Sequence, residues 1–167
     1  MAQTEKNEKK LPAEVDELTQ HVRKQFIPDK RVAIFDVDYR FPSRKEIIVK
    51  GATTSLDAKL ALLGGLKESH YQITDSMMLL PDSAALEGKT YGIVNLSVCN
   101  LRVEPDFSSE MTSQALLGMP VKVLQRDGWY RVQTPDDYIA WVHRVGVYPV
   151  TKQAYDEWNR ADKIVVT

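Results

Sequence analysis

The chain has 167 residues, of which 43% are hydrophobic and 27% are charged, with 22 Lys+Arg against 23 Asp+Glu and a formal net charge of −1. This length suits one compact domain or two small ones and excludes a large catalytic barrel. The balanced charge supplies no excess of cations for a phosphate backbone, and no apolar run reaches the roughly 20 residues of a membrane-spanning helix, so we expect neither a nucleic-acid partner nor a membrane span.

The first half of the chain alternates helix and strand patterns. Residues 1–10 are polar and lack apolar periodicity, which predicts a disordered tail. Apolar residues then recur at three- and four-residue steps over residues 12–26, as in a helix that packs by one face. Residues 32–39 and 46–50 are rich in β-branched and aromatic side chains, and a proline-containing loop separates them, so we predict an antiparallel pair of strands.

A second helix and a third strand complete this half. Gly51 is predicted to end the second strand, and Thr54, with the acid Asp57 three residues on, predicts the N-cap of a leucine-rich helix. The Gly64-Gly65 pair inside that helix predicts either close packing against a neighbour or a bend. Alternation over residues 73–80 predicts the third strand. The resulting order, αββαβ over residues 11–86, predicts a small sandwich in which one face of each helix covers a short sheet.

One segment of this half also carries a likeness to a known fold. The sequence Val-Lys-Gly-Ala-Thr-Thr at residues 49–54 is followed by Ala58-Lys59 and the leucine-rich helix. Together with the order of the elements, this segment resembles the small envelope-associated BON fold. The resemblance covers less than half of the chain and implies a BON-like α/β domain at residues 11–86.

The second half has a different pattern. After the polar segment at residues 82–89, helical periodicity ends, and short β-rich runs follow at residues 93–101, 113–117, 121–126, 129–134 and 138–142. Asp127-Gly128 predicts a tight hairpin, because Gly supplies the positive φ that such a turn needs. Five strands in about 55 residues predict an SH3-like β-barrel over residues 87–150. The predicted fold class is therefore α+β, with a domain boundary near residues 86–90.

The last predicted unit, residues 151–167, links to a further domain. Thr151 is placed to cap a short helix that runs through Trp158. Residues 163–167 have the composition of a strand that is just beginning. A β-rich segment that ends without a partner predicts that another domain follows it.

Four short motifs occur in order in the second half. They are Asn-Leu-Arg at residues 100–102, Leu-Leu-Gly at 116–118, Gly-Trp at 128–129 and Tyr-Ile-Ala-Trp-Val at 138–142. Together they resemble the bacterial SH3 domain that precedes the catalytic domain in secreted NlpC-type cell-wall endopeptidases, the γ-D-glutamyl-L-diamino acid endopeptidases of the dipeptidyl-peptidase VI type. The resemblance implies a periplasmic or secreted protein. Since residues 1–10 contain no apolar signal segment, it also implies that a signal peptide has been removed.

The sequence contains no catalytic motif of those enzymes. Their papain-like domain carries a Cys nucleophile in an Asp-Cys-Ser-Gly sequence and a later His, and this chain has no such motif. The single thiol, Cys99, lies in an alternating strand pattern, which predicts a buried residue with a raised pKa. His21, His70 and His143 lack the spacing of a metal-ligand pair. We therefore expect no enzymatic activity, metal or cofactor for this chain.

The resemblance implies a substrate-binding role for the SH3-like region. In relatives, an acid and a Tyr of this domain engage the free amine of the peptide's first residue, and Glu110 and Tyr138 stand at the matching positions. Glu104, in the same loop, competes with Glu110 for that role. Trp129 is the fourth predicted substrate-binding residue, although core packing also explains a Trp at this position. A solvated loop acid and a Tyr at the rim are the alternative interpretation of Glu110 and Tyr138.

Two further carboxylates attract notice in the first half. Asp36 and Asp38 lie two residues apart on a predicted strand and therefore share one of its faces. Such a pair is compatible with a metal or acid/base site, but a solvated strand face beside Arg40, Arg44 and Lys45 explains it more simply.

These features predict the non-catalytic accessory region of a bacterial cell-wall cysteine endopeptidase. Its SH3-like domain would position or gate a peptidoglycan peptide (a muropeptide) for a catalytic peptidase domain in cis. The alternative is a stand-alone envelope module that binds a peptide, a glycan or a protein. A self-contained cysteine hydrolase is a third hypothesis, and the sequence around Cys99 argues against it.

Overall fold

The computed structural model describes residues 11–164, and within them the protein is a mixed α+β chain made mostly of sheet. The regular elements are α1 (Ala13–Phe26), β1 (Phe35–Arg40), β2 (Glu46–Thr53), α2 (Leu56–Glu68), β3 (Gln72–Leu79), β4 (Tyr91–Val94), β5 (Val98–Arg102), β6 (Met111–Leu116), β7 (Pro120–Asp127), β8 (Trp129–Gln133), β9 (Ile139–His143), β10 (Val147–Val150) and α3 (Lys152–Arg160), with a single 3-10 turn at Arg144–Gly146. The predicted disordered tail at residues 1–10 lies outside the described residues.

In the first half, two helices pack on one face of a three-stranded sheet. β1 pairs antiparallel with β2, and β2 pairs parallel with β3. The apolar stripes of α1 and α2 are buried with the odd-numbered face of the sheet, in a cluster that includes Val15, Val22, Phe35, Ile47, Val49, Leu62, Leu66 and Met77. The cap of α2 lies one residue later than predicted: the Ser55 hydroxyl accepts a hydrogen bond from the Ala58 amide at 3.1 Å, whereas the Thr54 hydroxyl accepts from the Ile34 amide at 3.0 Å.

Two glycines, Gly51 in β2 and Gly65 in α2, allow close contacts between neighbouring elements. The predicted end of the second strand at Gly51 was wrong, because β2 continues through it to Thr53. Gly51 has a φ of +121°, and a Cβ there would collide with the Asp36 carbonyl of the adjacent strand, so the position requires glycine without ending the strand. In α2, a Cβ on Gly65 would lie 2.6 Å from Leu18 Cδ1, which is the close helix packing that the sequence predicted.

In the second half, seven strands curl around one core. Their order is β10-β4-β7-β8-β9-β5-β6. Val147 from one end of this order and Ala115 from the other belong to the same buried cluster, so the sheet curls back on itself. The remaining core residues from these strands include Val94, Cys99, Leu101, Val121, Val123, Tyr130, Val132, Ala140 and Val142.

The strand count of the second half differs from the prediction of five. The run predicted at residues 93–101 is two strands, because the chain turns at residues 95–97, where the Asn95 amide donates to the Gly146 carbonyl. β10 was missed because Pro149 interrupts its β-rich pattern. β10 is an edge strand, since it is at the end of the strand order and pairs only with β4. An edge strand tolerates Pro149, because the backbone N–H that proline lacks is not needed for pairing with a strand on the other side.

The last helix packs against the second half. Thr151 caps it as predicted, its hydroxyl accepting from the Ala154 amide at 3.3 Å, and the Trp158 Nε1–H donates to the Gly118 carbonyl at 3.0 Å. Residues 161–164 are not in a strand, and the rest of the strand predicted at 163–167 lies outside the described residues. Within residues 11–164, no helix is long and apolar enough to cross a bilayer.

A small apolar cluster joins the two halves. Ile34, Ala52 and Leu80 from the first half are buried against Leu124 from the second, with Ile139 packed beside them. Backbone hydrogen bonds reinforce this junction, from the Ile139 amide to the Arg31 carbonyl at 2.7 Å and from the Asp82 amide to the Leu124 carbonyl at 3.0 Å. The two sheets are therefore in direct contact, and a cleft opens between them.

Candidate functional site

The loop between β5 and β6, residues 103–110, folds back over the outer face of the second sheet. The Phe107 ring at its tip lies 4.8 Å from the Trp129 ring and 5.0 Å from the His143 ring, measured between centroids. Trp129 and His143 are paired residues of β8 and β9. The loop therefore divides the outer face into two clefts, one on either side.

Hydrogen bonds hold this loop in a compact shape. Arg102 donates from its Nη1 to the Ser109 carbonyl at 2.5 Å, and the Glu104 amide donates to the Ser109 hydroxyl at 2.9 Å. The Ser108 hydroxyl and amide both donate to the Asp106 carboxylate, at 2.6 and 2.7 Å, and these bonds lower the pKa of Asp106. Residues on the loop are thus presented by a fixed backbone.

The first cleft lies between the two sheets, and we call it the inter-sheet cleft. Its volume is about 550 Å³. One wall is a cross-strand row of the first sheet, in which Asp36 is paired with Ala52 and Ala52 with Met78. The opposite wall comes from the second sheet and its loop, and consists of Val103, Glu104, Gln125, Asp127, Arg131 and Trp141.

Charge is unevenly paired in the inter-sheet cleft. Arg131 donates from its Nη1 to Asp36 Oδ2 at 2.8 Å, and its guanidinium carbon lies 5.5 Å from the centroid of the Trp141 ring. Glu104 and Asp127 form no ion pair within residues 11–164. Three carboxylates against one guanidinium give the cleft a formal charge of −2.

The second cleft, which we call the aromatic cleft, lies on the other side of the loop. Its volume is about 210 Å³. Phe107, Trp129 and His143 form a cluster of three rings, and Trp129 meets His143 edge to face at an interplanar angle of 82°. Phe107 is 68% exposed although it is aromatic. The rim adds exposed apolar side chains, Leu96, Val98 and Val145.

The structure distributes the four predicted site residues over different places. Glu104 lines the inter-sheet cleft and Trp129 lines the aromatic cleft. Glu110 is exposed, and its carbonyl accepts from the Val103 amide at the base of the loop. Tyr138 is partly buried against the core of the second half.

Glu110 and Tyr138 nevertheless lie toward one end of neighbouring strands. Arg102 is paired with Met111 on one side and with Trp141 on the other. Because β6 and β9 both run antiparallel to β5, Glu110 and Tyr138 each precede these partners at the same end of the β6-β5-β9 segment. Both residues therefore lie beyond the last residue of β5, at the same end of strands that are separated by β5.

Several site residues were not recognised from the sequence. Asp36 was interpreted as a solvated acid beside basic neighbours in sequence, but it pairs with Arg131, 95 positions away. No local pattern carries such a contact. Phe107 did offer a signal, because an aromatic residue between Asp106 and Ser108 in a polar loop has no core to enter.

The single thiol is buried, as the sequence predicted. Cys99 is buried in the core beside Gly146, and desolvation raises the pKa of its thiol, which disfavours the nucleophilic thiolate. Trp141 is only 8% exposed, and its ring lines the inter-sheet cleft. Within residues 11–164, no group of three His, Cys, Asp or Glu side chains is placed to hold a metal ion.

A comparison with known protein families supports the predicted SH3-like region in the second half of the chain. Residues 101–145 match the family model described as the bacterial dipeptidyl-peptidase Sh3 domain, so this half contains a bacterial SH3-like domain. NlpC2 from Trichomonas vaginalis is similar in structure with a TM-score of 0.33 and 16% sequence identity, over 44% of this chain and 25% of that chain. The similarity thus spans a quarter of that protein. No curated protein matches the sequence.

Proposed function

We propose that this chain is the non-catalytic accessory region of a bacterial cell-wall peptidase. Its SH3-like domain binds a peptidoglycan peptide and positions it for a catalytic domain in the same polypeptide, in the periplasm or outside the cell. The match of residues 101–145 to the Sh3 domain of bacterial dipeptidyl-peptidases carries this proposal. The matched segment includes the β5–β6 loop and the part of the aromatic-cleft lining formed by Arg102, Phe107, Trp129, His143 and Val145, so the family likeness covers part of the surface that is available to a ligand.

We assign recognition of the peptide's free amino group to Glu110 and Tyr138. A carboxylate at a loop edge accepts charge-assisted hydrogen bonds from an ammonium, and a phenol oxygen supplies a further acceptor. The position of both residues at the same end of β6 and β9 supports this assignment. Glu104 stays the competing acid, but it lines the inter-sheet cleft, whereas Glu110 does not.

The test is a titration of the ¹⁵N-labelled chain with the tripeptide L-Ala-γ-D-Glu-L-Lys, followed by NMR. We expect saturable shifts at the amides of Glu110 and Tyr138, which are lost when the peptide is N-acetylated. Glu110→Gln should weaken binding about tenfold, the size expected for one charge-assisted hydrogen bond. Glu46→Gln, an exposed acid of the first half, is the matched control and should bind normally. Equal shifts of the Glu110 and Tyr138 amides by the acetylated peptide would contradict the proposal, whatever its lysine side chain does at the inter-sheet cleft.

The aromatic cleft favours a second candidate function, a stand-alone module that binds glycan. An exposed Phe107 beside Trp129 offers ring faces to a ligand, with Asn100 and Arg102 nearby as hydrogen-bonding groups. Quenching or enhancement of Trp129 fluorescence by a chitin oligosaccharide, abolished by Phe107→Ala, would favour this function. Absence of any effect at the highest soluble concentration would exclude it.

A further inference from the structure

The inter-sheet cleft has features of a binding site that the proposed function does not use. It is formed by both halves, so neither sheet contains it alone. Its residues outside the second half, Asp36, Gly51, Ala52 and Met78, also lie outside the segment that matches the SH3 family. A role for this cleft is therefore separate from the recognition assigned to Glu110 and Tyr138.

Among the residues that the structure describes, two carboxylates in the cleft form no ion pair and one indole N–H has no acceptor. Glu104 and Asp127 form no ion pair within residues 11–164. Trp141 is more than nine-tenths buried, and its Nε1–H has no acceptor among these residues, whereas the Nε1–H of Trp158 donates to a carbonyl. Since no fully buried side-chain nitrogen lacks a partner in this part of the chain, the Trp141 N–H is open to solvent, and the Trp141 side chain is one of those that line the cleft.

The other residues that line the inter-sheet cleft indicate which type of cation it would bind. Arg131 already neutralises Asp36 and covers one face of the Trp141 ring, so the surplus negative charge comes from Glu104 and Asp127. Ala52, Met78 and Val103 add apolar surface between the charged groups. A cation that also carries an aliphatic stem therefore matches the cleft better than a small hydrated ion does, because the stem covers apolar surface while the charge reaches the carboxylates.

We propose that the inter-sheet cleft binds a primary ammonium at the end of an unbranched aliphatic chain, as in a lysine-type side chain. Glu104 and Asp127 accept hydrogen bonds from the ammonium, and Met78 and Val103 contact the methylene groups. The Trp141 N–H and the unused N–H groups of Arg131 donate to a carbonyl or carboxylate oxygen of the same ligand. The ammonium belongs either to a residue within a peptide chain or to a free diamino acid.

The test compares two lysine compounds with their norleucine counterparts, which have the same chain without the ammonium. The chain is titrated with Nα-acetyl-L-lysine amide and with free L-lysine, and the NMR signal of the Trp141 indole N–H is followed, assigned by Trp141→Phe. We expect both lysine compounds to shift this signal saturably and more tightly than acetyl-norleucine amide and norleucine. Tighter binding of the blocked compound identifies a peptide side chain as the ligand, and tighter binding of free lysine identifies a diamino acid.

Charge-removing variants make this result specific. Glu104→Gln combined with Asp127→Asn should raise the dissociation constant at least about tenfold. Both side chains are exposed, and Asn retains the turn geometry before Gly128, so the fold should survive. Glu17→Gln combined with Asp162→Asn removes the same charge from exposed positions outside the cleft and should leave binding unchanged. Equal binding of lysine and norleucine compounds, or an unaffected Trp141 signal, would overturn the proposal.

Discussion

The two clefts beside the β5–β6 loop differ in chemistry and in origin. The inter-sheet cleft is charged and needs both halves of the molecule, since Asp36 and Arg131 come from different sheets. The aromatic cleft is formed by the second half alone and is lined by rings and aliphatic side chains. One loop of eight residues, 103–110, contributes Glu104 to the first and Phe107 to the second. Docking of the two halves is therefore needed to form the first cleft, whereas the second needs only the second half.

The largest expected effect comes from the junction between the halves. Leu124 is 3% exposed in the apolar cluster that joins the sheets. Leu124→Ala should lower the free energy of unfolding by about 2–5 kcal/mol, because it removes buried methyl groups and leaves a cavity. Urea denaturation measures this loss, and Leu117→Ala, at a 63% exposed position, is the control that should change little.

The same variant separates the clefts. We expect Leu124→Ala to abolish the response of Trp141 to lysine compounds while the Phe107–Trp129 contact persists, as measured by near-UV circular dichroism. Simultaneous loss of both signals in a folded variant would show that the aromatic cleft also depends on docking.

A smaller effect is expected in the aromatic cleft. Phe107→Ala should destabilise the protein by about 1 kcal/mol, the usual size of an aromatic pair interaction, because its ring packs on Trp129 and His143. Phe107→Leu retains apolar volume without the ring and should recover only part of the loss. The Asp36–Arg131 pair should be unaffected, so a change in its coupling energy on Phe107→Ala would contradict the separation of the two clefts.

The ion pair across the halves should contribute less. The side chains of Arg131 and Asp36 are 21% and 62% exposed, so solvent screens their attraction. A double-mutant cycle with Asp36→Asn and Arg131→Gln should give a coupling energy of about 0.2–1 kcal/mol that falls as salt is added. A coupling that is independent of salt would assign the stabilisation to packing on Trp141 instead.

The smallest effect concerns the shared loop and depends on pH. Hydrogen bonds from Ser108 lower the pKa of Asp106 below its ordinary value of 3.8, so the native loop is favoured above that pH and loses this contribution as the pH falls through the lower native pKa. An NMR titration of the Asp106 carboxyl should show a midpoint below 3.8, and Ser108→Ala should raise it. A midpoint that Ser108→Ala leaves in place would assign the lowered pKa to another cause.

The sequence predicted local features of the fold well. The helix cap at Thr151 and the Asp127-Gly128 turn follow from neighbouring residues, and the structure contains both. The Gly64-Gly65 pair left close packing and a bend open, and the contact of Gly65 with Leu18 of α1 decides for close packing. The predictions were wrong where pairing with a strand that is distant in sequence determines whether a segment forms a strand. β2 passes through Gly51 because β1 and β3 pair with it on both sides, and β10 forms despite Pro149 because β4 offers an edge.

The candidate site was less accessible to sequence reasoning. Motif order located the SH3-like region, and the family model matches most of it. The inter-sheet cleft was not predicted, because it depends on how the two halves dock, and pairs such as Asp36 and Arg131 leave no periodic pattern. Glu104 lines the inter-sheet cleft and Glu110 does not. This difference likewise depends on the hydrogen-bonded shape of the loop, which no local sequence pattern encodes.

The central claim, that this region positions a free-amine peptide without cleaving it, is tested most directly by a cleavage assay. The chain alone and the chain fused to an NlpC-type catalytic domain are incubated with L-Ala-γ-D-Glu-L-Lys and with its N-acetylated form. We predict no cleavage by the chain alone, and in the fusion a fall in kcat/KM of about tenfold on Glu110→Gln for the free-amine peptide only. Cleavage by the chain alone, or an equal fall for both peptides, would contradict the account.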